Sequence, residues 1–168
     1  MVLAFTPKTQ ADPLTGFYKI AITTELEDKI GDTIVFQDVD GEWGTGKVFI
    51  NSNNKLRFSG FLNSYDTDEE TGVTSPERIL LQGIVNPTTG NVRVTRIGGL
   101  PITDPEFTEE NFTLKIRIIK RNDVVVGVNG NGSASGTYEI DNGNGGLTSV
   151  DISDILRVVG YKTRELPE

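Results

Sequence analysis

The stretch Phe112-Thr113-Leu114-Lys115-Ile116-Arg117-Ile118 constrains this fold more than any other. Phe112, Leu114, Ile116 and Ile118 alternate with Thr113, Lys115 and Arg117. Successive side chains point to opposite faces of a β-strand, so this is a strand with one dry face and one wet face. Four apolar groups in a row on one face need a wall of similar strands opposite. The chain supplies that wall in short β-rich runs at 17–24, 33–37, 47–51, 55–63, 79–85, 91–97, 124–128 and 137–140.

Turn chemistry punctuates these runs. Ser52-Asn53-Asn54 closes one hairpin, and Asn86-Pro87-Thr88-Thr89-Gly90 closes another, with Pro87 presetting φ and Gly90 suited to the left-handed position. Asn122-Asp123 turns the 112–120 strand directly into 124–128. Together with 112–120 this makes about nine short strands at hairpin spacing, the pattern of an all-β antiparallel barrel or sandwich. Gly46, Gly60, Gly83 and Gly127 fall inside strand arms, where glycine weakens a flat strand but permits the sharp coil that a closing sheet requires. The expected fold is therefore a single antiparallel β-barrel, calycin-like, of about eight to nine strands, with a β-sandwich as second choice.

The remaining segments are read around that barrel. Residues 1–16, with Pro7 and Pro13, form an N-terminal arm. Residues 25–32 are an acidic loop, 38–44 a turn, and the Asn/Gly tract 129–136 a loop or hairpin tip. Ile152, Ile155, Leu156 and Val159 fall at helical spacing, Thr148 and Asp151 make a capping-box-like start, and Gly160 stands where a helix would stop. A C-terminal helix is expected over 149–160. No internal repeat or linker divides the chain, so 1–168 is one domain.

Absent residue types bound the chemistry. The chain has no Cys and no His, which removes disulfides, thiolates, imidazole metal ligands and the usual neutral-pH acid or base. An enzyme built here would work through carboxylates, Lys, Tyr or Ser. The net charge of −8 argues against a nucleic-acid partner, which calls for a basic stripe. No segment is apolar for long enough to cross a bilayer. The first residues, Met1 to Pro7, lack the basic start of a signal peptide, so a soluble chain, cytoplasmic by default and without a membrane partner, is expected.

Four features bear on a site. Residues 66–77 place oxygen side chains at positions 1, 3, 5, 9 and 12 of a twelve-residue segment, which resembles an EF-hand calcium loop; Thr71 replaces the bending glycine and Pro76 stands at position 11. That resemblance implies Asp66, Asp68, Glu70 and Glu77 as Ca²⁺ ligands; the alternative is a solvated acidic loop between strands. Asp141-Asn142-Gly143-Asn144-Gly145-Gly146 resembles the loop of a dockerin calcium module, one residue short for Asp151 to close it. Gly41-Glu42-Trp43 is similar to the lipocalin and avidin-like barrels over three residues, which implies a Trp closing one end of a cup. With Tyr18, Phe36, Phe49 and Phe58, Trp43 completes a candidate ligand-binding set. Arg93, Arg96, Lys115 and Arg117 lie on outward strand faces and make a partner- or anion-binding strip if their strands are neighbours.

Three functions follow. The first is a non-catalytic barrel module that binds a small ligand or a protein partner. The second is a structural subunit of a homo-oligomeric assembly. The third is a barrel-type isomerase, cyclase or carboxylate-based glycosidase, for which no acid pair is placed by the sequence.

Overall fold

A computed structural model describes residues 12–67, 71–98, 100–101 and 112–164. Its elements are β1 (Gly16–Ile30), β2 (Thr33–Ile50), β3 (Leu56–Thr67), β4 (Thr74–Val85), β5 (Asn91–Ile97), β6 (Leu100–Pro101), β7 (Thr113–Arg121), β8 (Val124–Asp141) and β9 (Leu147–Thr163). Every pairing is antiparallel. Apart from β6 and β7, strands adjacent in the chain are adjacent in the sheet; β9 returns to β1, and β4–β5 and β5–β7 complete the ring. The result is a closed eight-stranded up-and-down barrel, with β6 as a two-residue pair at the end of β5. Closure gives each of the eight strands a neighbour on both sides, the shortest seam being that of β5 and β7, from Asn91 opposite Arg117 to Arg93 opposite Lys115.

The alternation read from the sequence decides which side chains enter. Ile116 and Ile118 of β7 are buried, as are Tyr18, Ile20 and Ile22 of β1 and Val92 and Val94 of β5. Small residues set the radius. Gly46 and Gly60 face each other across β2 and β3, and a Cβ at Gly46 would stand 2.6 Å from Cε2 of Phe58. Gly90, at φ 74°, takes the left-handed conformation expected of it, and its carbonyl accepts from the Ile118 amide at 2.9 Å, tying the β4–β5 turn to β7. Asn122 and Asp123, both at positive φ, make the two-residue turn between β7 and β8.

The expected helix over 149–160 is instead part of strand β9, and no helix occurs among the described residues. The reason is visible in the same residues. Val150, Leu156 and Val158 follow the two-residue period and are buried. The helical stripe mixes faces, with Ile155 and Val159 pointing outward at 49% and 61% exposure. β-Branched Val150, Ile152, Ile155, Val158 and Val159 fit a pleated strand better than a helix, and pairing on both sides, with β1 and β8, overrides the local signal.

Three expected loops are strands as well. Residues 25–30 continue β1, 38–44 continue β2, and 129–136 continue β8. In the Asn/Gly tract, glycine alternates with polar residues, so period two is kept with hydrogen in place of an inward side chain. A Cβ at Gly130 would collide with the Lys115 carbonyl and crowd Val158. Of the N-terminal arm, residues 12–15 form a turn and Gly16 opens β1; residues 1–11 lie outside the described residues.

The strands are unequal. β1, β2, β8 and β9 hold 15, 18, 18 and 17 residues, whereas β5 and β7 hold 7 and 9. Pairing of β2 with β3 begins at Trp43, and pairing of β8 with β7 ends at Ser133. Beyond those points β2-β1-β9-β8 run on as a four-stranded extension of the wall, about 30 Å long at ~3.3 Å per residue. The outer edges of 33–42 and 134–141 pair with no described strand.

Candidate functional site

The barrel interior is filled. Tyr18, Ile20, Phe58, Val92, Ile116, Ile118 and Val128 surround a void of about 10 Å³, at or below the space one water requires. One end is plugged by the turn at 12–15. Leu14 is fully buried there, its amide donates to Asp12 Oδ1 at 2.9 Å, and Lys162 Nζ donates to the Pro13 carbonyl at 2.8 Å. Tyr18 Oη donates to the Leu14 carbonyl at 2.6 Å; burial, with the Asp12 carboxylate adding to it, pushes that phenol well above its ordinary range.

The five residues of the candidate ligand set do not meet in one place. Tyr18 and Phe58 are buried and help fill the interior. Phe49 is half-buried on β2 next to exposed Ile50, Phe36 stands on the extension at 48% exposure, and Trp43 points out of the wall at 59%. Trp43, Val159 and Tyr161 instead flank Ala21 and Lys19 on the outside of β2-β1-β9, around a groove of about 500 Å³.

The other end of the barrel is acidic. Glu42 shares the inward face with Ile22, its register partner on β1. Its carboxyl is raised above its ordinary value by burial first, then by the charges of Asp40 and Glu77, while a hydrogen bond with Ser64 lowers it. A turn over 38–44, as the sequence suggests, hides Glu42 as an inward group; the alternation of β2 extended back from Val48 reveals it. The larger clefts lie elsewhere on the wall.

Of the expected calcium ligands, Asp68 and Glu70 lie outside the described residues. Asp66 and Glu77 belong to β3 and β4, whose ladder ends at Thr67 and Thr74 with six residues between them. Among the described residues no group of three or more acidic side chains stands where it could hold a metal ion. Residues 141–146 form the β8–β9 hairpin turn, closed by Asn142 N to Gly146 O at 2.9 Å.

The strip of cations is assembled by the fold. β5 and β7 pair directly, so Arg93 stands opposite Lys115 and Arg117 opposite Asn91. Register across the wall adds a residue not foreseen: Arg57 pairs with Ile84, which pairs with Arg93, giving an outer row Arg57, Ile84, Arg93, Lys115. Arg96 lies two strands from Ser59, through Gln82. The ion pairs Lys29–Glu27 and Arg157–Glu25 of the described residues do not involve Arg57, Arg93, Lys115 or Arg117.

The extension combines apolar and acidic groups. Residues 33–41 of β2 are exposed on both faces, including Ile34, Val35, Phe36 and Val39 at 47–63%. Tyr138 Oη donates to Asp28 Oδ2 at 2.9 Å, across β9, and binds β8 to β1. A cleft of about 480 Å³ has Val39, Ile155, Glu25, Glu27 and Asp38 in its lining.

The fold therefore defines a closed, filled antiparallel β-barrel with a projecting four-stranded wall. No family model and no curated protein matches the sequence. Among the described residues no helix is long and apolar enough to cross a membrane.

Proposed function

We propose that the protein is a non-catalytic, calycin-like β-barrel module that binds a protein partner through the extension of β2-β1-β9-β8. The observation that supports this most is residues 33–41: an apolar-rich strand exposed on both faces, with no described strand on its outer edge. Such an edge offers a row of backbone donors and acceptors, and partner strands add to edges of this kind. The filled interior favours an external surface over a ligand inside the cup. A second reading, a sugar-like or apolar small molecule on the outer wall, has the groove between Trp43 and Tyr161 in its favour, whose size falls in the usual range for small-molecule sites.

The test replaces the apolar edge without changing charge. Immobilised wild-type protein and the Val35→Ser/Phe36→Ser/Val39→Ser variant are exposed to the same native lysate, and captured species are purified and re-bound. A partner held by the wild type and lost with the variant is expected; identical binding of every re-tested partner to both proteins would refute the reading.

A further inference from the structure

The charge of this chain is divided by its fold. Residues 25–42 and 134–154, which make up the extension, contain 11 acids and 1 base, for a charge of −10. All remaining residues contain 13 acids and 15 bases, for +2. Within that remainder β3, β4, β5 and β7 hold eight Arg and Lys against Asp66 and Glu77, a charge of +6 on one side of the barrel.

The basic wall is built at a cost to the fold. Arg93 and Lys115 are exposed, directly opposite each other, and without a carboxylate partner among the described residues. Like charges in that position oppose strand pairing. A polyanion seated on the wall removes the repulsion. The pattern of the row is cation, Ile84, cation, cation; the cleft of the extension presents apolar Val39 and Ile155 beside Asp38 and beside Glu25 and Glu27, which pair with Arg157 and Lys29 of the same chain and exchange those partners on docking. One surface is the chemical complement of the other, and both belong to the same chain.

We infer that the basic wall, centred on Arg57, Ile84, Arg93 and Lys115, docks the acidic extension of a second copy of this chain. The contact is head-to-tail, because the two surfaces differ, and such contacts give rings or open filaments according to whether the rotation closes. This rests on the reading of the extension as a protein-binding surface and names its partner. Opposed potentials of this size steer association and make it depend on salt.

Sedimentation equilibrium at about 200 µM chain, enough to populate a complex with a Kd of about 100 µM, tests the inference. In about 20 mM NaCl the weight-average mass is expected to exceed 18.3 kDa and to rise with concentration, and in about 500 mM NaCl to return to it. Arg93→Glu/Lys115→Glu and Glu27→Lys/Asp38→Lys change side chains at the surface of the wall and of the cleft, so each is expected to keep the wild-type circular dichroism spectrum and to stay at 18.3 kDa in low salt. Mixed in equal amounts, they recover association, because the reversed surface of one meets the reversed surface of the other. A wild type that stays monomeric in low salt, association unchanged by either variant, or a mixture no heavier than its components would overturn the inference. So would a monomer that binds inorganic polyphosphate through Arg93 and Lys115. None of these failures touches the lysate test, whose Ser variant leaves every charge in place.

Discussion

Gly46 offers the most direct test of whether the barrel is a filled core or a cup. Replacing it with alanine places a methyl 2.6 Å from Cε2 of Phe58. Carbon atoms in contact prefer about 3.5–4.0 Å, so the ring must retreat by about 1 Å. It has nowhere to go: Phe58 is 6% exposed, and the void beside it measures about 10 Å³. Overpacking of this kind costs about 1–3 kcal/mol. In a chain of 168 residues that lowers Tm by roughly 3–10 °C. Phe58→Leu removes the ring edge and is itself destabilising, by about 1–2 kcal/mol from lost apolar burial. Combined with Gly46→Ala it is expected to cost less than the sum, with a coupling of at least about 1 kcal/mol, because the leucine leaves room for the methyl. Urea denaturation followed by far-UV circular dichroism measures all four corners of the cycle; Trp43 is too exposed to report on the core by fluorescence. A Gly46→Ala variant as stable as the wild type, or strictly additive single and double variants, would mean that Phe58 has free space around it, and the interior would again be a ligand site.

Four other outcomes are expected. Tyr18→Phe strands the buried Leu14 carbonyl without its donor and should cost about 1–3 kcal/mol in the same assay; a loss below about 0.5 kcal/mol would detach that hydrogen bond from the plug. Glu42 has a folded-state pKa above its ordinary 4.5, so its contribution to stability is full below that value and is lost as pH rises through the folded one. Glu42→Gln should therefore melt higher than wild type at pH 7 and alike at pH about 3, and a wild type that is more stable at pH 7 would reverse the sign of the argument. Phe36→Ser/Val39→Ser should leave stability within about 0.5 kcal/mol, since neither side chain belongs to the core; a larger loss would make them structural. Six of the twelve positions in 66–77 lie in the β3–β4 ladder, so Tm is expected to be equal in millimolar Ca²⁺ and in chelator. A rise with Ca²⁺, which a ion held by the folded form alone must produce, would establish Asp66, Asp68, Glu70 and Glu77 as ligands.

The barrel itself was legible in the residues. Alternation in 112–118, the turn residues at Asn86–Gly90 and Asn122-Asp123, and glycines within strand arms are local signals, and each acts through the backbone of its own few residues. The same locality explains the failure at 149–160. Ile152, Ile155, Leu156 and Val159 satisfy a helical period as well as a mixed-face strand, and only β1 and β8 on either side of β9 decide between them. Residues 25–30 and 129–136 failed for a related reason: acidic or glycine-rich composition reads as loop when no neighbour is in view, yet a ladder accepts both.

The functional surfaces needed the register. Sequence alone established that Arg93, Arg96, Lys115 and Arg117 point outward on strong strands; that Arg93 faces Lys115, and that Arg57 joins their row, depends on pairings between segments far apart in the chain. The aromatic set was sound as a list of large side chains but was divided by the pleat, which sends Tyr18 and Phe58 inward and Trp43 out. Sequence alone determined an antiparallel β-barrel from a chain that carries no thiol and no imidazole. Tertiary structure decided where its charge collects, because a two-residue period assigns each side chain to a face, and only long-range strand pairing assigns each face a neighbour.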